Sequence, residues 1–410
     1  MVEKSLDAKL ARIKADPGCR DFILADAKDA DMAYGIAAPG RSPEMHGLEG
    51  RFRSLAEYRE CIRQVTRQGL VDIMLMSAHT NAILTIGEGL FEGSRVTPAA
   101  RANDTTDIHL ARGSMYALQP SCPFRTATID HVQCGHIDCR PEERGRGANL
   151  GLYSVTFNND VELDRRTLEA YQAFRLEAER KGFRHFLEVF DPNAPARPID
   201  PAKLGAFMND MIVRSLAGVP DTGRPLFLKV VYHGPKFMEE LVHYDPALVA
   251  GVLGGSSGTT YDAFKLLAEA QKHGARVALY GRKINNAEHQ LAFVEMLRRI
   301  VNGELAPEEA VQAYHGVLQG LGIKPYRPLA EDMQLTDPAL AYLRATGGGK
   351  HRGPAKMREG KSSESPGTAA TAAARPSAVP RKTTAPDFAK MTSAERLAYH
   401  RRRLSGTGGA

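Results

Sequence analysis

The stretch from residue 184 to residue 232 decides the fold. It opens with RHFLEVF (184–190) and closes with LFLKVVY (226–232), two short apolar runs of strand length. The segment KLGAFMNDMIVRSL between them has the apolar spacing of a helix. Strand, helix and strand in this order predict two parallel strands joined by a right-handed crossover.

Further runs of the same kind flank this unit on both sides. They are FILADA (22–27), VDIMLMS (71–77), TDIHLA (106–111), LYSVTF (152–157), LVAGVLGG (248–255) and ARVALYG (275–281). Helical periods lie between them, for example at 167–181 and 262–273, and two more, AFVEMLRRIV and PEEAVQAYHGVLQGLG, follow the last run. Eight such units close into a (β/α)₈ barrel more readily than they form an open sheet. We therefore predict an α/β fold, a (β/α)₈ barrel with extra C-terminal helices over residues 1–346, and an insertion at 116–149 after the third strand.

The composition is that of a globular protein. Of the 410 residues, 43% are hydrophobic and 25% are charged, which excludes a mostly disordered chain. With 7% aromatic residues and no Trp, the chain has few side chains on which the bases of a nucleic acid could stack. Neither a secretory signal nor a membrane span is visible, and five cysteines suit reduced thiols, so we expect a cytoplasmic protein.

The basic residues are concentrated at the C-terminal end. Residues 350–410 hold 13 Lys and Arg against four acids, a charge of +9, so the total of +6 leaves −3 for the rest of the chain. We predict a disordered linker at 347–386, which is rich in Ala, Thr, Ser, Pro and Gly, and a short basic helix at 387–410. This tail either binds an anionic partner or is simply solvated.

Three charged residues stand inside the apolar strand runs, where barrel enzymes carry their reactive groups: Asp26, Glu188 and Lys229. Strand alternation places Lys229 on the same face as Phe227, and Glu188 on the same face as Phe186. An amine buried among apolar groups loses its proton more readily and can then attack a carbonyl to form a Schiff base. A neighbouring carboxyl can carry protons for that reaction, although a Lys–Glu pair that only braces the barrel is the alternative.

Two loops predict a phosphate site. Gly255, Ser256 and Ser257 follow the seventh strand run, and Gly281 and Arg282 follow the eighth. Backbone amides near glycine, serine hydroxyls and an Arg fork all bind phosphate oxygens, and these two loops are the usual phosphate site of such barrels.

We expect neither a metal nor a cofactor. One local cluster offers side chains that bind zinc, namely His131, Cys134, His136 and Cys139. Its spacing is not that of a zinc site and no second pair of ligands follows it.

Four stretches resemble a known family. FLEVFD (186–191), LKVVY (228–232), GGSSGTTYDAFKLLAEAQKHGA (254–275) and LYGRKI (279–284) are similar to the class I, Schiff-base tagatose-1,6-bisphosphate aldolases, within the deoxyribose-phosphate and fructose-bisphosphate class I aldolase superfamily. These are metal-free (β/α)₈ barrels with a Lys on strand six and a Glu on strand five. The resemblance implies that Lys229 forms the Schiff base and that Glu188 shuttles protons. It also implies that Asp26 is the strand-one acid and that Ser256 and Arg282 bind phosphate.

The resemblance implies a lyase that reversibly cleaves a C–C bond of a ketose phosphate or bisphosphate. Two features depart from the family: strand one continues from Asp26 as Ala-Lys-Asp, and strand four offers Tyr153 and Ser154 where the family presents a Lys. A substrate with one phosphate, or with another head group, therefore stays open. The alternatives are a repurposed sugar-phosphate-binding barrel and an assembly or nucleic-acid-associated protein acting through its tail. The expected partners are a sugar phosphate, an anionic partner for the tail, and further copies of the chain in a homo-oligomer.

Overall fold

Eight parallel strands form a closed barrel in the computed structural model, which describes residues 2–16, 18–40, 52–255 and 258–346. The strands are β1 (Ile23–Lys28), β2 (Ile73–Met76), β3 (Thr97–Arg101), β4 (Leu150–Thr156), β5 (Arg184–Phe190), β6 (Leu228–Val230), β7 (Gly251–Leu253) and β8 (Val277–Tyr280). Each strand pairs with the next, and β8 closes the ring on β1, where Val277 pairs with Ile23. The predicted (β/α)₈ barrel is confirmed.

Helices surround this barrel. The α-helices of the described residues are α1 (Ser5–Ala15), α2 (Asp31–Tyr34), α3 (Leu55–Gln68), α4 (Ala78–Asn81), α5 (Ile129–Cys134), α6 (Val161–Arg180), α7 (Pro201–Leu216), α8 (Pro235–Tyr244), α9 (Thr260–Lys272), α10 (Arg282–Asn285), α11 (Gln290–Val301), α12 (Pro307–Gly320), α13 (Leu329–Asp332) and α14 (Ala341–Thr346). A π-helix spans Ala82–Gly87, and 3₁₀ turns span Gly35–Ala37, Tyr116–Leu118, Pro141–Glu143, Asp221–Gly223 and Pro338–Leu340. Within the described ranges, no helix has the length and apolar character that crossing a membrane requires.

The third strand corrects the sequence prediction. It is Thr97–Arg101 (TPAAR), whereas the predicted run at 106–111 forms turns. A Pro and two Ala gave this segment little strand propensity, but pairing with β2, from Ile73 opposite Thr97 onward, overrides that preference.

The insertion is correspondingly longer than predicted. It occupies residues 102–149 rather than 116–149, because the third strand ends at Arg101 and β4 begins at Leu150. It contains a two-stranded antiparallel ribbon, Asp104–Thr105 with Pro123–Phe124, and the helix α5.

The interior of the barrel is packed, and α1 closes its N-terminal end. Alternate strand residues point inward, among them Phe186 and Phe227, whose rings stack at 4.5 Å. Leu6 and Leu10 of α1 belong to the same hydrophobic cluster, with 0% and 6% exposure. Apolar residues therefore fill the barrel interior at that end, and the interior opens at the carboxyl ends of the strands.

Local sequence explains where the helices beside the site begin. The side chain of Thr259 accepts a hydrogen bond from the amide of Asp262 in a capping box that starts α9. Asp160 caps α6 by accepting from the amides of Glu162 and Leu163, so that this helix begins before the predicted residue 167. The predicted linker at 347–386 and basic helix at 387–410 lie outside the described residues.

Candidate active site

A cavity of about 370 Å³ opens at the carboxyl ends of the strands. Its walls include five of the residues predicted from sequence: Glu188, Lys229, Gly255, Gly281 and Arg282. Ser256 and Ser257 lie outside the described residues, and Asp26 is not part of the wall. The structure thus brings the proposed nucleophile, proton carrier and part of the phosphate site into one space.

Lys229 and Glu188 form a buried ion pair at the floor of this cavity. The register of β5 and β6 places the two residues opposite each other. The Lys229 Nζ lies 2.5 Å from the Glu188 Oε1, and the residues are 6% and 1% exposed. At this separation a proton can pass directly from one group to the other.

A second set of contacts fixes the other oxygen of Glu188. The Ser154 hydroxyl donates to Glu188 Oε2 at 2.6 Å, and the Arg101 Nη2 lies 3.5 Å from the same oxygen. Asn103 in turn holds Ser154, since its side-chain amide donates to the Ser154 carbonyl and accepts from the Ser154 amide. The carboxylate of Glu188 is therefore oriented before any substrate binds.

Arg101 links this carboxylate to Asp29. Its Nε donates to Asp29 Oδ2 at 2.5 Å, and both residues line the cavity. Burial opposes the charge of Arg101, but the carboxylates of Asp29 and Glu188 raise its pKa above the ordinary value. Arg101 is therefore a permanent cation, and the floor carries alternating charges in the order Asp29, Arg101, Glu188 and Lys229.

The structure does not bring Asp26 to the site. Ile23 and Ala25 face the interior, so alternation turns Asp26 outward, where its carboxylate lies 2.9 Å from the Lys28 Nζ. Both side chains are fully buried, and burial raises the pKa of Asp26. Asp29 lies on the inward side of the same strand end and occupies the position predicted for Asp26.

Sequence reasoning missed both Asp29 and Arg101. The signal for Asp29 was present, because alternation through Ala25 and Ala27 leads to it. A third strand predicted at 106–111 leaves Arg101 outside the strand ends, so its position carries no signal.

The loops after β7 and β8 form one corner of the cavity. Gly255 has a φ of +63°, a left-handed conformation that glycine adopts at low cost. A side chain at Gly281 would place its Cβ 2.8 Å from the Ala27 carbonyl, so glycine is required there. The Arg282 guanidinium lies 5.7 Å from the centre of the Tyr34 ring and has no carboxylate partner among the described residues. Its charge is available to an anion in the cavity.

A C-terminal strap, residues 333–343, completes the wall. Asp262 accepts hydrogen bonds from the amides of Thr336 at 2.7 Å and Asp337 at 3.0 Å, which ties the strap to the start of α9. Burial alone would raise the pKa of Asp262, but these bonds lower it below its ordinary value. Asp337 and Ala339 then line the cavity. The sequence carried no signal for this contact, because its partners are more than 70 residues apart.

Comparisons with solved structures agree with the fold. A fructose-bisphosphate aldolase from Slackia heliotrinireducens matches with a TM-score of 0.54 and 13% identity, over 75% of this chain and 89% of its own. An archaeal fructose 1,6-bisphosphate aldolase matches with a TM-score of 0.51 and 16% identity, over 73% and 100%. An archaeal fructose-1,6-bisphosphate aldolase whose catalytic Lys is bound to the carbinolamine intermediate matches with a TM-score of 0.50 and 16% identity, over 72% and 99%.

Sequence comparisons add no closer relative. No protein-family model and no curated protein matches the chain. The structural matches do not single out the tagatose-1,6-bisphosphate aldolases. At these identities they show that the chain shares the barrel fold of these aldolases.

Proposed function

We propose that this protein is a class I aldolase that reversibly cleaves a C–C bond of a ketose phosphate through a Schiff base on Lys229. The observation that carries the proposal is the 2.5 Å contact between Lys229 and Glu188 inside a cavity that also contains Arg282. A nucleophile, a proton carrier and an anion-binding group are the three functions that this reaction needs.

The proposed reaction begins with a proton transfer from the Lys229 ammonium to Glu188. The neutral amine attacks the substrate ketone, and the resulting carbinolamine loses its hydroxyl as water after Glu188 returns the proton. The products of this step are a protonated imine on Lys229 and an ionised Glu188. Atoms and charge balance without any group from outside the site.

Glu188 also serves the cleavage step. The Glu188 carboxylate takes the proton of the substrate hydroxyl. The C–C bond then breaks, and the electron pair of that bond moves toward the imine cation, which gives an aldehyde and an enamine. Glu188 then protonates the enamine carbon, and water releases the second product from Lys229. Arg101 lies 2.5 Å from Asp29 but 3.5 Å from Glu188, and the other oxygen of Glu188 faces Lys229, so we assign the base to Glu188.

The phosphate group of the substrate is assigned to the loop corner. Amides near Gly255 and Gly281, with the guanidinium of Arg282, provide donors for its oxygens. Ser256 and Ser257 remain part of this proposal on sequence grounds. A substrate must span the distance from this corner to Lys229, which sets the separation between its phosphate group and its reacting carbonyl.

Borohydride trapping tests the proposal. Dihydroxyacetone phosphate and borohydride should leave a stable adduct on the peptide that contains Lys229, detected by mass spectrometry. The Lys229→Met variant should leave none, because it keeps an apolar stem and removes the amine.

The outward Lys28–Asp26 pair provides the matched control. The double variant Lys28→Met, Asp26→Asn removes a buried pair of the same type without leaving a buried charge unpaired, and it should still form the adduct. Absence of an adduct with every phosphorylated ketose tried would refute the proposal. Phosphate-dependent binding without an adduct would favour the sugar-phosphate-binding barrel.

A further inference from the structure

A second concave site lies at the opposite end of the barrel from the candidate active site. We call it the basal groove; it has a volume of about 650 Å³. Phe22 and Arg276, which line it, directly precede β1 and β8, and the last turns of α9 and α11 form its sides. It therefore shares no residue with the cavity around Lys229.

Positive charge dominates the lining of the basal groove. Five of its residues are cations, namely Lys9, Arg20, Lys272, Arg276 and Arg298, and one, Asp21, is an acid. Asp21 is already paired with Arg12 at 2.5 Å. Residues 1–349 sum to a charge of −3, so this concentration of cations is not a consequence of the overall composition.

Two of the cations form the rigid base of the groove. The Lys9 Nζ lies 2.9 Å and the Arg298 Nη2 lies 2.7 Å from the buried carboxylate of Asp72. One carboxylate thus faces two cations, so this cluster keeps a net charge of +1.

The other three cations have no carboxylate partner within the described ranges. Arg276 is held by the carbonyls of Cys19 and Ala275, each at 3.1 Å, so its guanidinium is fixed in place while its charge is not balanced. Arg20 and Lys272 are exposed and make no side-chain hydrogen bond to a described residue. A prepositioned Arg fork with two adjacent adaptable cations suits the oxygens of neighbouring phosphoryl groups.

We propose that the basal groove binds a compact ligand with two or more adjacent phosphoryl groups. A nucleobase is not required for recognition, because the aromatic residue in the lining, Phe22, is 3% exposed and offers no stacking face. The proposal is independent of the chemistry at Lys229.

Inorganic pyrophosphate is the probe for this site, titrated calorimetrically into the full chain at about 150 mM salt, where long-range attraction is screened. The background is Arg282→Gln, which removes the cation at the loop corner of the other cavity. We expect saturable binding that weakens about tenfold or more in Arg276→Gln. The double variant Arg20→Gln, Lys272→Gln should weaken it similarly, and it tests the groove if Arg276→Gln fails to fold.

Arg299→Gln is the matched control. Arg299 lies in the same last turn of α11 but pairs with Glu295 and is absent from the lining, so its loss should leave the affinity unchanged. The basic C-terminal residues are present in every variant and contribute equally to all. No saturable binding, or binding that none of the groove variants weakens, would overturn the proposal.

Discussion

Two buried Lys–carboxylate pairs stand on the strands of this barrel, and strand alternation gives them different environments. Lys229 and Glu188 share the inward side with Phe227 and Phe186 and line the cavity. Lys28 and Asp26 are equally buried but face outward. Residue type and burial therefore do not distinguish the pair that we propose to be reactive, whereas the face of the strand does.

Glu188→Gln tests the proton carrier. The amide preserves size and can still bond Ser154, but it cannot accept the proton from Lys229. We expect turnover to fall about 10²–10⁴-fold, the usual contribution of a general acid or base. Ser154→Ala, which removes only the orienting hydroxyl, should cost less in steady-state assays. A loss below tenfold in Glu188→Gln would leave the pair with a bracing role.

Arg282→Ala tests the phosphate corner. The guanidinium pairs with no carboxylate among the described residues, so removing it leaves no carboxylate without a partner. The variant should therefore weaken chiefly the binding of an anion. Phosphorylated substrates should lose about 2–3 kcal/mol of transition-state binding, and an unphosphorylated analogue should lose little. Comparing kcat/KM for the two substrates measures this difference. Equal losses would assign Arg282 to packing instead.

His185 makes stability depend on pH. Burial, with the nearby charge of Arg175, lowers its pKa to about 3, and its ring bonds the Tyr171 hydroxyl at 2.9 Å. Below the ordinary His pKa of about 6.5, the unfolded chain takes up a proton at this residue and the folded chain does not. The free energy of unfolding therefore falls as the pH drops from about 6.5 toward 3. This residue alone should cost about 2 kcal/mol between pH 7 and pH 5.

His185→Phe isolates that contribution. The ring still packs on Phe174, although the bond to Tyr171 is lost at every pH. Urea unfolding at pH 7 and pH 5 should show a smaller pH-dependent loss in the variant than in the wild type. An equal loss in both would assign the effect to other groups.

At the scale of elements, the strands were more predictable than their connections. Seven of the eight runs quoted from the sequence overlap strands of the barrel, because buried parallel strands are short and continuously apolar. Thr97–Arg101 escaped detection because its Pro and Ala residues favour no strand, and only pairing with β2 makes it one. The same strand assignment left Arg101 out of the predicted site, whereas alternation predicted the inward placement of Lys229 and Glu188.

The strap is the element that sequence could least predict, and Asp262→Asn tests its attachment. The carboxylate accepts from the amides of Thr336 and Asp337 and from the Thr336 hydroxyl. Burial raises the pKa of Asp262, but these bonds bring it below the ordinary value. A lowered pKa means that the stabilisation is present above the unfolded-state pKa of about 4 and is lost as the pH falls through the folded value.

We expect Asp262→Asn to lower the free energy of unfolding by about 2–3 kcal/mol at pH 7, the range of hydrogen bonds to charged groups. The difference from wild type should begin to shrink as the pH falls below about 4, where Asp262 of the unfolded chain takes up a proton, and it should be lost as the pH falls through the lowered pKa of the folded chain. Chemical denaturation across this pH range measures it. A difference that stays constant would mean that the charge of Asp262 does not hold the strap.

At the scale of the whole molecule, the two ends of the barrel differ in how their charges are paired. The N-terminal end is closed by Leu6 and Leu10 of α1, and it carries the unbalanced cations of the basal groove. The carboxyl end holds the cavity, whose Lys229 and Arg101 are paired with carboxylates and whose Arg282 has no carboxylate partner in the part of the chain that the structure describes. The proposed substrate chemistry is thereby confined to one end, and the proposed phosphoryl site belongs to the other.

Two truncations separate the barrel from the residues that follow it. A chain ending at Thr346 should keep the melting temperature and trapping rate of the full chain, because residues 347–386 contain too few large apolar groups to add a core. A chain ending at Asp332 loses the fully buried Leu340, the partners of Asp262, and the cavity wall at Asp337. It should melt several degrees lower and trap dihydroxyacetone phosphate more slowly, since burial of one Leu alone contributes about 2 kcal/mol. A large loss in the chain that ends at Thr346 would show that the basic residues support the barrel. No loss in the chain that ends at Asp332 would show that the strap does not support it.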